Sequence, residues 1–335
     1  MKPFIPLLFI SILVCSCKKK TDPTPDDPTP STTTTTGASA KIYPDTTWTS
    51  TGTGPRLIFK FKFDSTQQRL NNTGGSFPIP SGHAACSPVF NRMAAHYVEL
   101  AQTDLTALGA GKVLYRAPET TKGGINAIDF GQSVAVREGV TFFSVPISQI
   151  TAGTYKWLRL SLSYENYDIP YKANALPGNH IGKGTLASFL GFQTYVEKYK
   201  IKDRDFVPSS SVGGPNAAHA QGYWGFETNI SGFGYYNLDG QAASGVTTVV
   251  NPNFTNSPIP AGSCVVTAVF ADNSGTGQLL TVTGAETQDI IVTVSLSTNK
   301  SFEWVDSTAD GYYQPDAGEF PVDMGIRGMI PKVQY

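Results

Sequence analysis

Apolar and polar residues alternate along many short stretches of this chain, which is the pattern that half-buried β-strands produce. Three stretches show it most clearly: residues 56–63, 157–164 and 289–297. In the first, every second residue from position 57 onward is Leu or Phe, and both lysines fall between them. Weaker patterns predict further strands at 94–100, 113–116, 127–130, 141–146, 223–228, 264–271 and 278–283.

The alternation also predicts which side chains point inward. In residues 289–297, Val292 and Val294 fall on the inner face and Thr293 on the outer face. Clean alternation of this kind indicates antiparallel sheets that each keep one face in water. We therefore expect an all-β protein, an antiparallel β-sandwich of immunoglobulin-like or jelly-roll-like type with little helix. Residues 188–199 are the best helix candidate, and a strand fits them equally well.

Composition supports this class and limits the function. The chain has 335 residues, of which 33 are Gly and 23 are Pro, and it therefore has many sites for turns. Its formal net charge of −1 provides no basic field for nucleic acid. We predict one β-sandwich domain at 41–335. A subdivision near 209–220, where small polar residues cluster, is the alternative.

The first 16 residues resemble a bacterial lipoprotein signal peptide. A basic residue precedes the apolar run at 4–14, which is shorter than the roughly 20 residues that a membrane-crossing helix needs. Val14 and Ser16 then lead to Cys17 in the order of a lipobox, so Cys17 is predicted to carry a lipid. An ordinary signal peptide with incidental cysteines is the structural alternative.

Residues 17–40 are predicted to form a tether. Three lysines follow Cys17, and the Thr- and Pro-rich residues 21–40 contain no aliphatic side chain larger than Ala, so they cannot build a core. The Cys-Lys-Lys-Lys start resembles lipoproteins of the Bacteroidota that are sorted to the outer membrane. We therefore expect a protein of the cell envelope, anchored by lipid in the outer membrane and facing the periplasm or the cell surface.

Two cysteines remain in the predicted mature domain, Cys86 and Cys264. In an oxidising compartment they could form a disulfide. They could equally be two buried thiols, because the geometry that decides between these alternatives is not readable from sequence.

The chain carries few signals of catalysis. It has no Gly-x-Ser-x-Gly, phosphate-binding loop, His-Glu-x-x-His or Cys-x-x-Cys motif. Its four histidines, at 83, 96, 180 and 219, lie far apart in sequence. We therefore expect no enzyme and no cofactor. A glycoside-acting enzyme built on two carboxylates is an alternative.

The acidic segment 306–319 partly matches a calcium-binding loop. Asp306 and Asp310 occupy the first and fifth positions of such a loop, and a glycine follows at the sixth. The twelfth position holds Ala317, and Glu319 comes two residues later. A loop carrying solvated acids is the favoured interpretation, with calcium at Asp306, Asp310 and Glu319 as the alternative.

The aromatic stretch 223–236 is the candidate for ligand binding. Trp224, Tyr235 and Tyr236 lie among glycines, and flat exposed rings of this kind stack on sugars in carbohydrate-binding modules. Rings are also needed to fill a β core. Core or loop packing is therefore the favoured interpretation, and a glycan platform is the alternative.

Four short segments resemble the methanobactin-associated periplasmic β-domain family. They are the Phe-rich strand at 57–63, Ala-Ile-Asp-Phe at 127–130, the turn at 150–155 with the Leu-Arg-Leu that follows it, and Asn-His ending at His180. The resemblance implies a β-domain and copper binding, with His180 as a candidate ligand. Residues 186–195 contain neither Met nor Trp, whereas the family has a Met- and Trp-rich segment there.

We therefore predict a lipid-anchored envelope protein whose β-domain binds a ligand or has a structural role. Its expected partners are the membrane, through the lipid, and a glycan or another envelope protein. A carbohydrate-binding lipoprotein and a copper- or calcium-binding protein are the alternatives, besides the glycoside-acting enzyme.

Overall fold

The chain folds into layered β-sheets, and the predicted all-β sandwich with little helix is confirmed. The computed structural model describes residues 48–70, 75–103, 105–175, 179–242 and 265–335. The predicted signal peptide, the lipidation residue Cys17, the tether and Cys264 lie outside these described residues.

Among the described residues, the strands of ten residues or more all belong to the largest sheet, and the helical turns are all of the 3₁₀ type. Those turns are Phe130–Gln132, Ile147–Gln149, Ser210–Val212 and Pro315–Ala317. In chain order the strands are β1 (Trp48–Thr49), β2 (Arg56–Asp64), β3 (His83–Cys86), β4 (Val89–Ala101), β5 (Lys112–Arg116), β6 (Glu119–Thr120), β7 (Ala127–Asp129), β8 (Ala135–Val136), β9 (Thr141–Pro146), β10 (Gly153–Tyr155), β11 (Trp157–Ala173), β12 (His180–Phe189), β13 (Gln193–Val196), β14 (Tyr199–Lys200), β15 (Asp205–Phe206), β16 (Ala217–Ala220), β17 (Tyr223–Ile230), β18 (Gly234–Gln241), β19 (Val265–Val269), β20 (Leu280–Val282), β21 (Ile290–Ser297), β22 (Phe302–Val305), β23 (Pro321–Asp323) and β24 (Met329–Gln334).

Two large sheets form the sandwich. The larger has the order β18-β17-β12-β11-β4-β5, with β19 also paired to β11 and β8 to β4. The smaller has the order β1-β9-β2-β21-β24. Most pairs are antiparallel, but β2 and β21 run parallel over eight residue pairs, from Leu57 opposite Ile290 to Asp64 opposite Ser297. Four smaller groups are also present among the described residues: β16-β13-β7-β6, β23-β22-β3, the β14–β15 hairpin and the pair β10-β20.

The main hydrophobic core lies between the two large sheets. From the smaller sheet it receives the inner residues of β2 and β21, and from the larger sheet the leucines of the first half of β11. Val292 and Val294 are fully buried and Thr293 is half-buried, as the alternation of residues 289–297 predicts. The register of this strand is therefore confirmed.

A bulge in β11 changes which residues face this core. Leu162 pairs with Ala95 of β4, but the next paired residue is Tyr164, opposite Ala94, so Ser163 is an extra residue in β11. Even-numbered residues up to Leu162 therefore face the main core, and odd-numbered residues such as Tyr167 face it afterwards. Tyr164 instead enters a second core on the other side of the same sheet.

The second core covers the face of the larger sheet that we expected to be in water. It joins Tyr164 and Phe189 to Phe130 and to Tyr199 of the β14–β15 hairpin. The expectation of one wet face per sheet is therefore wrong for the middle of this sheet. Its polar residues there, such as Ser161, are small and buried, so their alternation with leucines does not indicate solvent.

Residues 209–220, the alternative domain boundary, contribute to this layer. Ser210–Val212 form a 3₁₀ turn, and β16 pairs with β13 in register from Gln193 opposite Ala220. No helix among the described residues has the length and apolar character needed to cross a membrane.

Burial of an unpaired charge tests the register of β21. Val292→Asp or Val294→Asp should lower the free energy of unfolding by several kcal/mol, comparable with the total stability of a typical domain. Thr293→Asp, on the outer face, should cost about 1 kcal/mol or less. Soluble yield and melting temperature measure the contrast. Equal tolerance at all three positions would contradict the half-buried strand.

Candidate functional site

The three aromatic residues singled out in the sequence lie on two faces of the larger sheet. Trp224 is buried, and its cross-strand partner is Gly240. The Trp224 indole fills the space that a side chain at position 240 would need. Tyr235 and Tyr236 are neighbours in β18, so their rings point to opposite faces. The Arg204 guanidinium covers the Tyr235 ring at 3.9 Å from its centroid. The three rings therefore do not form one exposed platform.

Tyr236 instead lines a pocket at the end of the sandwich. The pocket has a volume of about 270 Å³, and its walls are mostly apolar. The Tyr236 side chain is 43% exposed, so the pocket opens to solvent beside it. The lining residues are Tyr171, Ala173, Ala175, Phe226, Thr228, Ile230, Tyr236, Leu238, Pro315 and Asp316.

Two glycines of β12 leave space for the rings that line this pocket. A Cβ atom on Gly184 would overlap the ring of Phe226, and one on Gly182 would come within 3.0 Å of the Tyr171 ring. Both rings can therefore lie close against the sheet. The Thr228 hydroxyl donates to the Tyr171 hydroxyl at 3.1 Å, which fixes a polar pair in the pocket. Burial raises the pKa of Tyr171, and the bond with Thr228 opposes part of this shift.

The acidic segment 306–319 supplies the outer wall of the same pocket. The backbone N–H of Lys172 donates to the Tyr313 carbonyl at 2.9 Å, and that of Ala175 donates to Asp316 Oδ2 at 2.8 Å. The end of β11 is thereby tied to this segment. The structure thus brings together two of the sequence candidates, the aromatic stretch and the acidic segment, at one pocket.

Each carboxylate of the proposed calcium loop accepts hydrogen bonds from its surroundings. Asp306 accepts from the N–H of Gly311 at 3.0 Å, and buried Glu319 accepts from the N–H of Gln314 at 2.8 Å. Asp310 pairs with Lys172 Nζ at 2.5 Å, and this bond is the main reason that the pKa of Asp310 is lowered. These bonds account for the folded shape of the segment without a metal ion.

The histidines have separate neighbours. His83 contacts Glu303 at 2.6 Å, and His96 contacts Glu119 at 3.2 Å. His180 begins β12, with its ring centroid 6.4 Å from that of Tyr171. Within the described ranges, no group of three or more His, Cys, Asp or Glu residues is placed to hold a metal. Calcium binding and copper binding therefore stay alternatives that rest on the sequence alone.

Cys86 ends β3 with its side chain partly buried. Burial raises the pKa of its thiol to about 12, so the thiolate is scarce at neutral pH. Its proposed partner, Cys264, lies outside the described residues. The disulfide and the pair of buried thiols therefore both stay open as alternatives.

A strongly perturbed carboxyl group, that of Glu165, lies away from the pocket. Glu165 follows the β11 bulge, and the shifted alternation turns its fully buried side chain toward the main core. Burial raises the pKa of Glu165 well above its ordinary value, and the Arg327 guanidinium and the Ile326 N–H lower it only in part. Because its side chain has no access to solvent, Glu165 has no route to a substrate.

This shift predicts a pH dependence of stability. Above the ordinary glutamate pKa of about 4.3, Glu165 loses its proton in the unfolded chain but keeps it in the folded protein. The free energy of unfolding therefore falls as the pH rises toward the pKa of Glu165 in the folded protein. Glu165→Gln should remove this fall. Its melting temperature should exceed that of the wild type by a margin that grows as the pH rises above about 5. The surface variant Glu138→Gln is the control. A Glu165→Gln protein that is no more stable at about pH 8 would contradict the prediction.

Comparisons with protein-family models, with curated proteins and with solved structures found no match. The residues of the pocket must therefore carry any functional argument. Sequence reasoning named Tyr236 but missed Tyr171 and did not single out Phe226. Gly182 and Gly184, two residues apart in β12, were the available signal, because paired glycines in a strand mark a close approach of other groups.

Proposed function

We propose that this chain is a lipid-anchored protein of the cell envelope whose β-sandwich binds a small, largely apolar ligand in the pocket beside Tyr236, without catalysing a reaction. The lipobox ending in Cys17 and the tether after it support the location. The pocket supports the binding role.

The single observation that carries the binding role is the preformed pocket. Ligand pockets are typically concave, mostly apolar, and carry a few polar groups that orient the ligand. Here Tyr171, Thr228 and Tyr236 provide hydroxyl groups and Asp316 a carboxylate among walls that are otherwise apolar. The volume of about 270 Å³ lies just below the range of roughly 300–1,000 Å³ that is usual for ligand pockets. A small ligand, such as one with a single ring, fits it best.

The same residues favour binding over catalysis. The lining contains no His, Cys or Lys, and its one carboxylate, Asp316, accepts the N–H of Ala175. Tyr171 and Thr228 bond to each other, and the described hydrogen bonds pair neither hydroxyl with a side-chain base that would activate it. The walls therefore offer contact and orientation, with no paired nucleophile and base.

Ligand-observed NMR on the detergent-extracted lipoprotein tests the pocket, with phenol and indole as water-soluble probes. Tyr236→Ala should weaken binding roughly 2- to 12-fold, since one ring contact contributes about 0.5–1.5 kcal/mol. Ala173→Phe should abolish binding, because the new ring fills the pocket. Phe233→Ala, an exposed ring on the adjacent turn that does not line the pocket, is the matched control. Equal effects of Tyr236→Ala and Phe233→Ala, or probe binding that survives Ala173→Phe, would rule out this site.

Lipidation is tested separately. Cys17→Ala should leave an unprocessed or soluble chain, because acyl chains at this residue provide the stable membrane attachment. Detergent phase partitioning measures the outcome, and Cys15→Ala is the control. If the Cys17→Ala protein stayed in the membrane fraction to the same extent as the wild type, the anchor would have to lie elsewhere.

A further inference from the structure

The rings and the charge that line the Tyr236 pocket indicate the chemistry of its ligand. Three aromatic side chains contribute to the lining, those of Tyr171, Phe226 and Tyr236. The ring centroids of Tyr171 and Phe226 lie 5.3 Å apart and their planes are inclined at 76°, so the two rings form differently oriented walls. The Tyr236 ring forms a third wall, on the side where the pocket opens to solvent.

The pocket carries one negative charge and, among its described lining residues, no positive one. The negative charge is that of Asp316, whose Oδ2 accepts the neutral N–H of Ala175, a bond that leaves the charge uncompensated. The Lys172 ammonium, which also contacts this acidic segment, pairs with Asp310 instead. Burial raises the pKa of Tyr171, and the Asp316 carboxylate adds to this rise, so its charge acts on the interior of the pocket.

Aromatic rings together with an uncompensated carboxylate favour a cation. The faces of aromatic rings carry negative charge, and a cation within about 6 Å of a ring centroid is attracted to it, more strongly where water is excluded. A neutral ligand would contact the apolar walls but would have no charge to pair with Asp316. An anion would be repelled by Asp316.

The lining also indicates which kind of cation fits. A primary ammonium group has three N–H donors that lose water on entering the pocket and need acceptors there. The hydroxyls of the lining already take part in bonds, since Tyr171 pairs with Thr228 and the Tyr236 hydroxyl donates to the Phe233 carbonyl at 3.3 Å. A quaternary ammonium group has no N–H donor, and its methyl groups suit the apolar walls.

A second pocket, on the opposite face of the larger sheet, provides a contrast. This polar pocket lies beside the β14–β15 hairpin, and its lining includes Arg92, Lys200 and Lys202. Lys200 pairs with Asp205 at 3.5 Å. The cationic side chains of the polar pocket would repel an ammonium ligand, so a cation is expected in the Tyr236 pocket alone of the two.

We infer, on the basis of the binding role proposed for the Tyr236 pocket, that its ligand is a small, free quaternary ammonium compound. The methylated ammonium group lies among the three rings, and exposed Asp316 is its counter-charge. The volume of about 270 Å³ is roughly nine times the ~30 Å³ that one water molecule occupies in the liquid. This is room for a molecule of the size of choline.

Ligand-observed NMR on the lipoprotein tests the charge and the methyl groups of the ligand. The protein is extracted in a maltoside detergent, because a phosphocholine detergent would itself carry the proposed group. Choline is compared with its neutral isostere, in which tert-butyl replaces trimethylammonium, and with ethanolamine, which lacks the methyl groups. Choline should bind about 5- to 30-fold more tightly than the isostere, as expected for a cation enclosed by rings. An isostere or ethanolamine that binds as tightly as choline would overturn the inference.

Phenol separates a failure of this inference from a failure of the proposed pocket. If phenol binds and Ala173→Phe abolishes its binding, but choline binds no better than the isostere, the pocket stands and the ammonium assignment is refuted. If neither phenol nor choline binds, both are refuted.

Phosphocholine tests the source of the ammonium group. Its phosphate would meet Asp316 and no cation of the described lining, so it should bind more weakly than choline. Phosphocholine that binds as tightly as choline would assign the pocket to a lipid head group and refute a free compound.

Matched variants locate the cation. Tyr236→Leu keeps an apolar side chain but removes the ring, so it should weaken choline binding several-fold and change isostere binding little. Asp316→Asn keeps an oxygen that can accept the Ala175 N–H but removes the charge, so it should weaken choline binding about 2- to 5-fold. Phe233→Leu and Asp203→Asn are the controls, because neither exposed residue lines the pocket. Equal effects of the pocket and control variants, or equal losses for choline and the isostere, would refute the inference.

Discussion

The extra residue in β11, Ser163, is the constraint on which the layered architecture depends. An uninterrupted strand would keep Leu162 and Tyr164 on the same face of the sheet. With the bulge, β11 directs Leu162 into the main core and Tyr164 into the second core, and it then returns Tyr167 and Tyr171 to the main-core side. One long strand can therefore serve as a wall for two cores, and both pockets are built on its second half.

Alternation recovers the strands whose two faces differ in polarity, and it fails where both faces are buried. Residues 141–146 were predicted with the bounds that β9 has, and 289–297 differ from β21 by one residue. The second half of β11 was not predicted, because Glu165, Asn166 and Asp168 lie within it and give the segment the composition of a loop. In the folded protein Glu165 and Asn166 are buried and Asp168 is half-buried, and the side chains of Asn166 and Asp168 bond to neighbouring chain segments.

The candidate sites were less predictable than the strands, since each pocket draws its residues from segments far apart in sequence. The Tyr236 pocket combines the ends of β11, β17 and β18 with residues near 315. The polar pocket on the opposite face of the larger sheet combines residues of β4, β11 and the β14–β15 hairpin. Tyr236 was found because it lies in an aromatic cluster. No local sequence pattern marks Asn91, Asp168 or Lys202. They come together through the pairing of β4 with β11 and through the hydrogen bond from the Lys202 N–H to Glu227.

The parallel pairing of β2 with β21 has a consequence for how the chain folds. The Arg56 N–H at the start of β2 donates to Asp289, the residue just before β21, across 233 positions of sequence. Contacts between such distant residues slow folding, because a long loop must close before they contribute stability. The Phe-rich β2 therefore lacks its parallel partner, β21, until nearly the whole chain has been synthesised. During this interval its unpaired edge is prone to aggregation, so a chaperone that shields this strand would raise the folding yield.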